Sequence, residues 1–190
     1  MKKPTAFAIA GWMCLSSAVA LAQNTPMPSQ SQTDTQRPVN PARDNLSSQE
    51  FVTKAAASGK AEVAMGKMGT QKADSAAVKA YAQKMVTDHT KANQELASTA
   101  KAAGHAVPAG MDLNHDAMDR DLERATSGKD FDQKYMDQMV KDHQKAVDLF
   151  ERASTAGDVA PALQALARKT LPTLREHLNE AQRIRSQLGS

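Results

Sequence analysis

The chain has 190 residues, with 24 Lys and Arg against 21 Asp and Glu, and aromatic residues make up only 4% of it. Because the charges nearly balance and no basic residues interleave with aromatic ones, the composition argues against a nucleic-acid-binding protein. The single cysteine, Cys14, lies in an apolar N-terminal segment, so a fold stabilised by disulfides is not expected.

Residues 1–22 are typical of a cleavable signal peptide. Two lysines precede an apolar run from Ala6 to Leu21, and Ala20-Leu21-Ala22 supplies the small-x-small cleavage pattern. A run of about 16 apolar residues is shorter than the ~20 that span a bilayer, which argues against a membrane anchor. Lipoprotein attachment through Cys14 is a second alternative, but the usual Leu-x-small pattern does not precede it. The sequence therefore predicts a periplasmic protein without a transmembrane segment in the mature chain, with outer-membrane association as the alternative.

Residues 23–46 predict a disordered linker, because four prolines are set among Ser, Thr, Gln and Asn. From residue 47 to residue 188 the composition changes to Ala, Met, Leu, Lys, Glu and Gln, which favours helices. Capping residues, glycines and prolines predict four long helices, at about 47–68, 75–103, 130–156 and 158–188, and a short one near 116–125. Asp74 or Ser75 is expected to cap the second long helix and Asp158 the fourth, which Pro172 should kink or split.

The lengths of the connections predict how the four helices are arranged. Short connections make the first pair and the last pair antiparallel, whereas about 24 residues between the pairs are enough to run back along the bundle. We therefore predict an all-α, ferritin-like four-helix bundle with a long crossover between its second and third helices. A plain up-down-up-down bundle is the competing topology.

A repeated pattern marks the middle of the second and third helices. Tyr-x-x-x-Met-Val-x-Asp-His occurs at residues 81–89 and again at residues 135–143, and a weaker copy surrounds His177. His89, His143 and His177 each lie on the apolar stripe of a helix and about halfway along it, so we expect three imidazoles to converge in one layer of the core. Glycines at positions 59, 66 and 69 give the first helix a small-residue face suited to close packing.

The expected layer has two interpretations. Three imidazoles and a carboxylate can bind Cu, Zn or Fe, and thioethers four residues before two of the histidines would suit Cu(I). The predicted metal ligands are His89, His143, His177 and Glu62, with Met85 and Met139 as auxiliary ligands. In the competing interpretation the chain is a non-catalytic structural or stress-related envelope protein. Its histidines then bond to one another, to Glu62, to tyrosines or to a trapped water, and they only specify the bundle. A carboxylate di-iron site is not predicted, since no glutamate stands three residues before any of these histidines.

Other functional classes receive little support from the sequence. The acids beside the histidines, Asp88, Asp142 and Glu176, are rotated by about 100° and are expected to face water or to pair with neighbouring basic residues. The sequence has no Gly-x-Ser-x-Gly element and no phosphate-binding glycine loop, so nothing indicates an enzyme, although the question stays open. An envelope protein partner and a homo-oligomer also stay open.

Several motifs together resemble a known family. They are Phe51 through Glu62-Val63, Val78-Lys79-x-Tyr81-Ala82-x-x-Met85-Val86-x-Asp88-His89, Phe131-x-x-x-Tyr135-Met136, Asp142-His143, and Thr170-Leu171-Pro172-Thr173-Leu174-x-x-His177-Leu178. Across about residues 48–187 the chain resembles the bacterial exported family of unknown function numbered four-one-four-two, often labelled "predicted outer membrane protein". The resemblance implies a ferritin-like four-helix fold and a cell-envelope location, and it implies no assigned activity.

Overall fold

A computed structural model describes residues 45–110 and 120–189, which belong to one compact unit spanning residues 40–190. The predicted signal peptide and nearly all of the predicted linker lie outside the described residues. Leu46, at the end of the predicted linker, is fully buried against the helices. The packed part of the chain therefore includes this residue.

Four long helices account for most of the described residues: α1 (Ser48–Lys72), α2 (Ala76–Ala102), α3 (Lys129–Thr155) and α4 (Pro161–Leu188). A short helical segment at residues 120–124 precedes α3. The described part of the chain contains no strand, which confirms the predicted all-α class. Within it, no helix combines the length and the apolar character needed to cross a membrane.

The first two helices begin with different kinds of cap. Ser47-Ser48-Gln49-Glu50 has the sequence of a capping box, which predicts a cap at the start of α1. The hydroxyl of Ser47 accepts a hydrogen bond from the backbone N–H of Glu50 at 3.2 Å, so this cap is confirmed. Neither Asp74 nor Ser75 caps α2 with its own side chain. The buried carboxylate of Asp132 in α3 instead accepts their two backbone N–H groups, at 3.1 and 2.8 Å. The start of α2 is thus bonded to the start of α3.

The predictions for the start and the middle of α4 need correction. Asp158 does not cap this helix, because the N-cap residue is Ala160, whose backbone N–H donates to the hydroxyl of Ser48 at 2.8 Å. Pro161 does occupy the first turn, as predicted. Pro172 lies inside one continuous helix and does not split it. Packing of both halves of α4 against α2 and α3 offsets the backbone hydrogen bond that proline cannot make.

Contacts between helix ends identify the topology. The bonds from Asp132 place the starts of α2 and α3 at the same end of the bundle, so these helices run parallel. Near the end of α4, Arg185 donates to Asp137, near the start of α3, at 3.2 Å, so α3 and α4 are antiparallel. Helix α1 packs against α2 and α3, and α4 packs against the same two helices. This is the ferritin-like arrangement, and it excludes the up-down-up-down alternative, in which α2 and α3 would be antiparallel.

The crossover between α2 and α3 is attached to both ends of α1. Near the start of α1, the side chain of Gln49 donates to the carbonyl of Ala106 at 2.8 Å. At the end of α1, the ammonium of Lys72 donates to the carbonyls of Glu123 and Ala125, at 2.6 and 2.8 Å. The two described ends of the connection therefore lie at opposite ends of the bundle, as its length predicts.

The predicted small-residue face of α1 packs against α2. A Cβ atom on Gly66 would lie 2.9 Å from a methyl of Val86 and 3.0 Å from the carbonyl oxygen of Ala82, and a Cβ on Gly69 would lie 2.7 Å from the Cβ of Ala82. Contacts this short are closer than carbon atoms normally approach. The glycines therefore let the two backbones come together, which confirms the prediction.

The buried apolar residues form two clusters at different heights. The upper cluster lies toward the end where α2 and α3 begin and consists of Ala61, Met65, Ala73, Val78, Tyr81, Ala82, Met85, Leu122, Ala125, Phe131, Tyr135, Met136, Met139, Ala181 and Ile184. The lower cluster consists of Leu46, Phe51, Val52, Ala55, Ala56, Leu96, Ala100, Ala153, Val159, Leu163, Leu166 and Ala167. Between these clusters, at mid-height, the core contains polar side chains.

Candidate metal centre

Three histidines from three helices meet between the two clusters. His89 in α2, His143 in α3 and His177 in α4 have exposed fractions of 7%, 0% and 1%. Their ring centroids are 5.4–5.5 Å apart, and one nitrogen of each ring lies within 4.8 Å of a nitrogen of the other two. The convergence predicted from the sequence is therefore present, and we call these three residues the histidine layer.

Hydrogen bonds assign the tautomers of two of the rings. Nδ1 of His143 lies 2.9 Å from the carbonyl oxygen of Met139, which can only accept, so this nitrogen carries the proton. Nε2 of His177 lies 2.9 Å from a carboxylate oxygen of Asp88, so this nitrogen is protonated for the same reason. Their lone pairs are consequently on Nε2 of His143 and Nδ1 of His177. These two atoms and Nε2 of His89 are buried and have no hydrogen-bond partner among the described residues.

Burial keeps the three imidazoles neutral near pH 7. It lowers the pKa of His143 to about 4, with a further contribution from repulsion by His177. Burial, followed by repulsion from the other two rings, lowers the pKa of His89 well below its usual value. Burial also lowers the pKa of His177, although the hydrogen bond to Asp88 opposes the effect. Neutral imidazoles with free lone pairs are the form that binds metal ions.

The spacing of the nitrogens is close to that of a metal site. Three atoms that all lie within 4.8 Å of one another share a central point at most about 2.8 Å from each of them, whereas metal–nitrogen bonds are about 2.0–2.1 Å. Each nitrogen would need to move inward by at most about 0.7 Å, which small side-chain rotations provide. The geometry therefore fits one transition-metal ion held by three imidazoles.

The structure does not bring the carboxylate of Glu62 into this converged set of nitrogens. Glu62 is buried, and its Oε1 lies 3.7 Å from Nδ1 of His143, the nitrogen that donates to Met139. Burial, and next the negative charge of Glu62, raise the pKa of both Tyr81 and Tyr135, two residues of the upper cluster. The carboxylate thus lies beside the protonated side of His143 and close to the upper cluster.

The two predicted auxiliary ligands are core residues of the upper cluster. Met85 and Met139 are fully buried. Each precedes a histidine by four residues on its own helix, which places it about one turn above the histidine layer. Both residues therefore belong to the neighbouring layer of the core.

A cavity adjoins the histidine layer on its lower side. Its volume is about 50 Å³, and His89 and His177 form part of its wall. The residues one turn below the histidines on α2 and α3 are alanines, and Gly59 stands at this height on α1, so few side-chain atoms fill the space. The exposed Thr173 also lines the cavity, which therefore extends from the histidine layer to the protein surface.

Comparison of the sequence with known protein families identifies the family of this chain. The profile described as "Domain of unknown function (DUF4142)" matches residues 30–184. The chain belongs to the DUF4142 family. No curated protein matches the sequence of this DUF4142 chain.

Two solved structures share the fold of the DUF4142 chain. One is a protein from Streptomyces coelicolor described as a secreted DUF305 protein, with a TM-score of 0.64 and 13% identity over 76% of this chain and 94% of that one. The other is CopM in a Cu(II)-bound form, with a TM-score of 0.63 and 22% identity over 75% of this chain and 98% of that one. At these identities the likeness shows the fold of the DUF4142 chain.

Asp88 is a site residue of the DUF4142 chain that sequence reasoning missed. The prediction that it faces water or pairs with a neighbouring basic residue holds only in part. Its side chain is 35% exposed, but it accepts a hydrogen bond from His177 across the α2–α4 interface. Helical periodicity describes one helix at a time and carries no information on this contact. The other two acids behave as expected: Asp142 lies 3.7 Å from the ammonium of Lys145, and Glu176 is exposed.

Proposed function

We propose that this DUF4142 protein is exported and binds a transition-metal ion in its core through His89, His143 and His177. The observation that supports the proposal is the set of three buried ring nitrogens without a hydrogen-bond partner among the described residues. A buried polar atom left unpaired costs about 1–3 kcal/mol. One metal ion would satisfy all three nitrogens, whereas a purely structural layer would be expected to pair them within the protein.

The ligand set favours copper as the first metal to test. Imidazole nitrogens bind Cu, Zn and Fe, and affinity among divalent ions is highest for Cu²⁺. The fold neighbour CopM has been seen in a Cu(II)-bound form, which supports the same choice. The carboxylate of Asp88 acts through His177, since it holds the proton on Nε2 and leaves Nδ1 free for the metal.

Export is supported by the predicted signal peptide, and a fold neighbour is described as secreted. The protein would then hold or buffer a metal ion in the periplasm. The full chain, expressed in a Gram-negative host, should be recovered from the periplasm with an intact mass that begins at Gln23. Recovery in the outer-membrane fraction would support the alternative location, and retention of residues 1–22 would contradict the signal peptide.

Metal binding is tested by elemental analysis and calorimetric titration of this untagged protein with Cu(II) and Zn(II). The matched variants are His89→Gln, which removes a ligand, and His105→Gln, which removes a partly exposed histidine of the crossover. We expect one ion per chain in the wild type and in His105→Gln, and weaker binding by about 100-fold or more in His89→Gln. Far-UV circular dichroism verifies the fold of each variant, and His177→Gln replaces His89→Gln if the latter does not fold.

Thermal unfolding gives an independent readout of the same site. A ligand present at 100 times its Kd stabilises the folded state by about 2.7 kcal/mol, which raises the Tm by roughly 5–10 °C for a domain of this size. The rise should occur with the wild type and with His105→Gln. Equal binding by the two variants, or the absence of both binding and a Tm shift in the wild type, would contradict the metal centre and leave the histidine layer a structural element.

A further inference from the structure

Three methionines lie at one height, directly above the histidine layer. Met85 and Met139 each precede a histidine by four residues on helices that run downward, and Met65 follows Glu62 by three residues on α1, which runs upward. A separation of three or four residues is one helical turn, or about 5 Å along the axis. All three are fully buried in the upper cluster, and we call them the methionine layer.

The buried methionines are distributed unevenly between the two clusters of the core. Among the described residues, the four fully buried methionines, Met65, Met85, Met136 and Met139, all belong to the upper cluster. The lower cluster is built from Leu, Val, Phe and Ala. Methionine often fills irregular gaps in cores, but this use would apply equally to both clusters. Its concentration on the side of the histidines facing away from the cavity points to a specific role.

The thioether groups of this layer favour a soft cation that carries a single charge. Thioether sulfur is neutral and soft, and it favours soft ions such as Cu(I) over Zn(II) or Mg(II). The cost of removing an ion from water grows with the square of its charge, so a monovalent ion is about four times less costly to bury than a divalent ion of equal size. The carboxyl group of Glu62 is buried beside His143, one turn from Met65 on α1, and in its ionised form it would balance the charge of a bound cation.

From these observations we infer that Met65, Met85 and Met139 form a second site, which binds a soft monovalent cation of the Cu(I) type one turn above the histidine layer. The site is separate from the histidine centre and requires no metal at that centre. A cation from solvent would reach it through the cavity and past the three imidazoles. The two layers thus provide borderline nitrogen donors and soft sulfur donors within one core.

Titration with Ag(I), a redox-inert probe for Cu(I), in chloride-free buffer tests this site. The matched variants are Met85→Leu in the methionine layer and Met136→Leu, which removes another fully buried methionine of the same cluster, one turn farther from the histidines. We expect Met85→Leu to weaken Ag(I) binding by about tenfold or more, which corresponds to about 1.4 kcal/mol, and Met136→Leu to leave it unchanged. Equal Ag(I) affinities in the two variants would overturn the inference.

Nuclear magnetic resonance of methionine methyl groups in the wild-type protein gives a readout that does not depend on a folded variant. With ¹³C-methyl labelling, one equivalent of Ag(I) should shift the signals of Met65, Met85 and Met139 and leave that of Met136 in place. Cu(II) titration of Met85→Leu separates this inference from the proposed function, since loss of the methionine layer should leave binding at the histidine layer intact. If Ag(I) shifted only the signals of the histidines and left all methionine signals in place, this result would also overturn the inference.

Discussion

Acidification should destabilise the metal-free protein through its buried histidines, and His143 allows the size of the effect to be calculated. Its pKa is about 4 in the folded protein, against 6.5 for a histidine exposed to water, as in the unfolded chain. Above pH 6.5 the ring is neutral in both states, so its titration costs the folded protein no stability. As the pH falls from 6.5 to 4, only the unfolded chain takes up the proton, and the free energy of unfolding decreases; below pH 4 the loss is complete. A difference of about 2.5 pH units corresponds to about 3 kcal/mol.

Urea denaturation at several pH values between 7 and 4 measures this loss, with a chelator present to keep the protein metal-free. The wild type should lose stability steadily below pH 6.5. In His143→Gln the free energy of unfolding should fall less steeply with decreasing pH, by about 1.4 kcal/mol per pH unit, because glutamine does not titrate. His105→Gln serves as the control and should follow the wild type. Equal slopes in His143→Gln and the wild type would show that His143 titrates alike in both states, and would refute the argument from burial.

Three further substitutions test other contacts. Asp88→Asn should weaken metal binding by about 10–100-fold while the circular dichroism stays unchanged, because His177 loses a charged acceptor; unchanged affinity would contradict the role of Asp88. Gly69→Ala should destabilise the fold by about 1–3 kcal/mol in urea, since its Cβ would lie 2.7 Å from another Cβ, whereas Gly157→Ala meets nothing within 4 Å and should be neutral. Asp132→Ala should cost about 2–3 kcal/mol, because two N–H groups at the start of α2 lose a charged acceptor; an unchanged urea midpoint would count against this cap.

The helices, their order and the histidine layer could be predicted because they depend on local patterns. Apolar residues spaced every three or four positions identify the buried face of each helix, and connection length decides between parallel and antiparallel neighbours. The cap at Ser47 was also predictable, because its hydrogen-bond donor, the backbone N–H of Glu50, lies only three residues away. The cap of α2 was not, because a side chain from α3 took the place of Asp74 and Ser75.

By itself, the sequence determined that the chain forms an all-α bundle and that His89, His143 and His177 share its core. Only the tertiary structure decided which groups meet: it paired Asp88 with His177, placed Glu62 beside the protonated nitrogen of His143, and brought Met65 into the same buried cluster as Met85 and Met139. The physical reason is the register between helices. One residue of slip moves a side chain by 1.5 Å along the axis and about 100° around it, which is enough to exchange one partner for another.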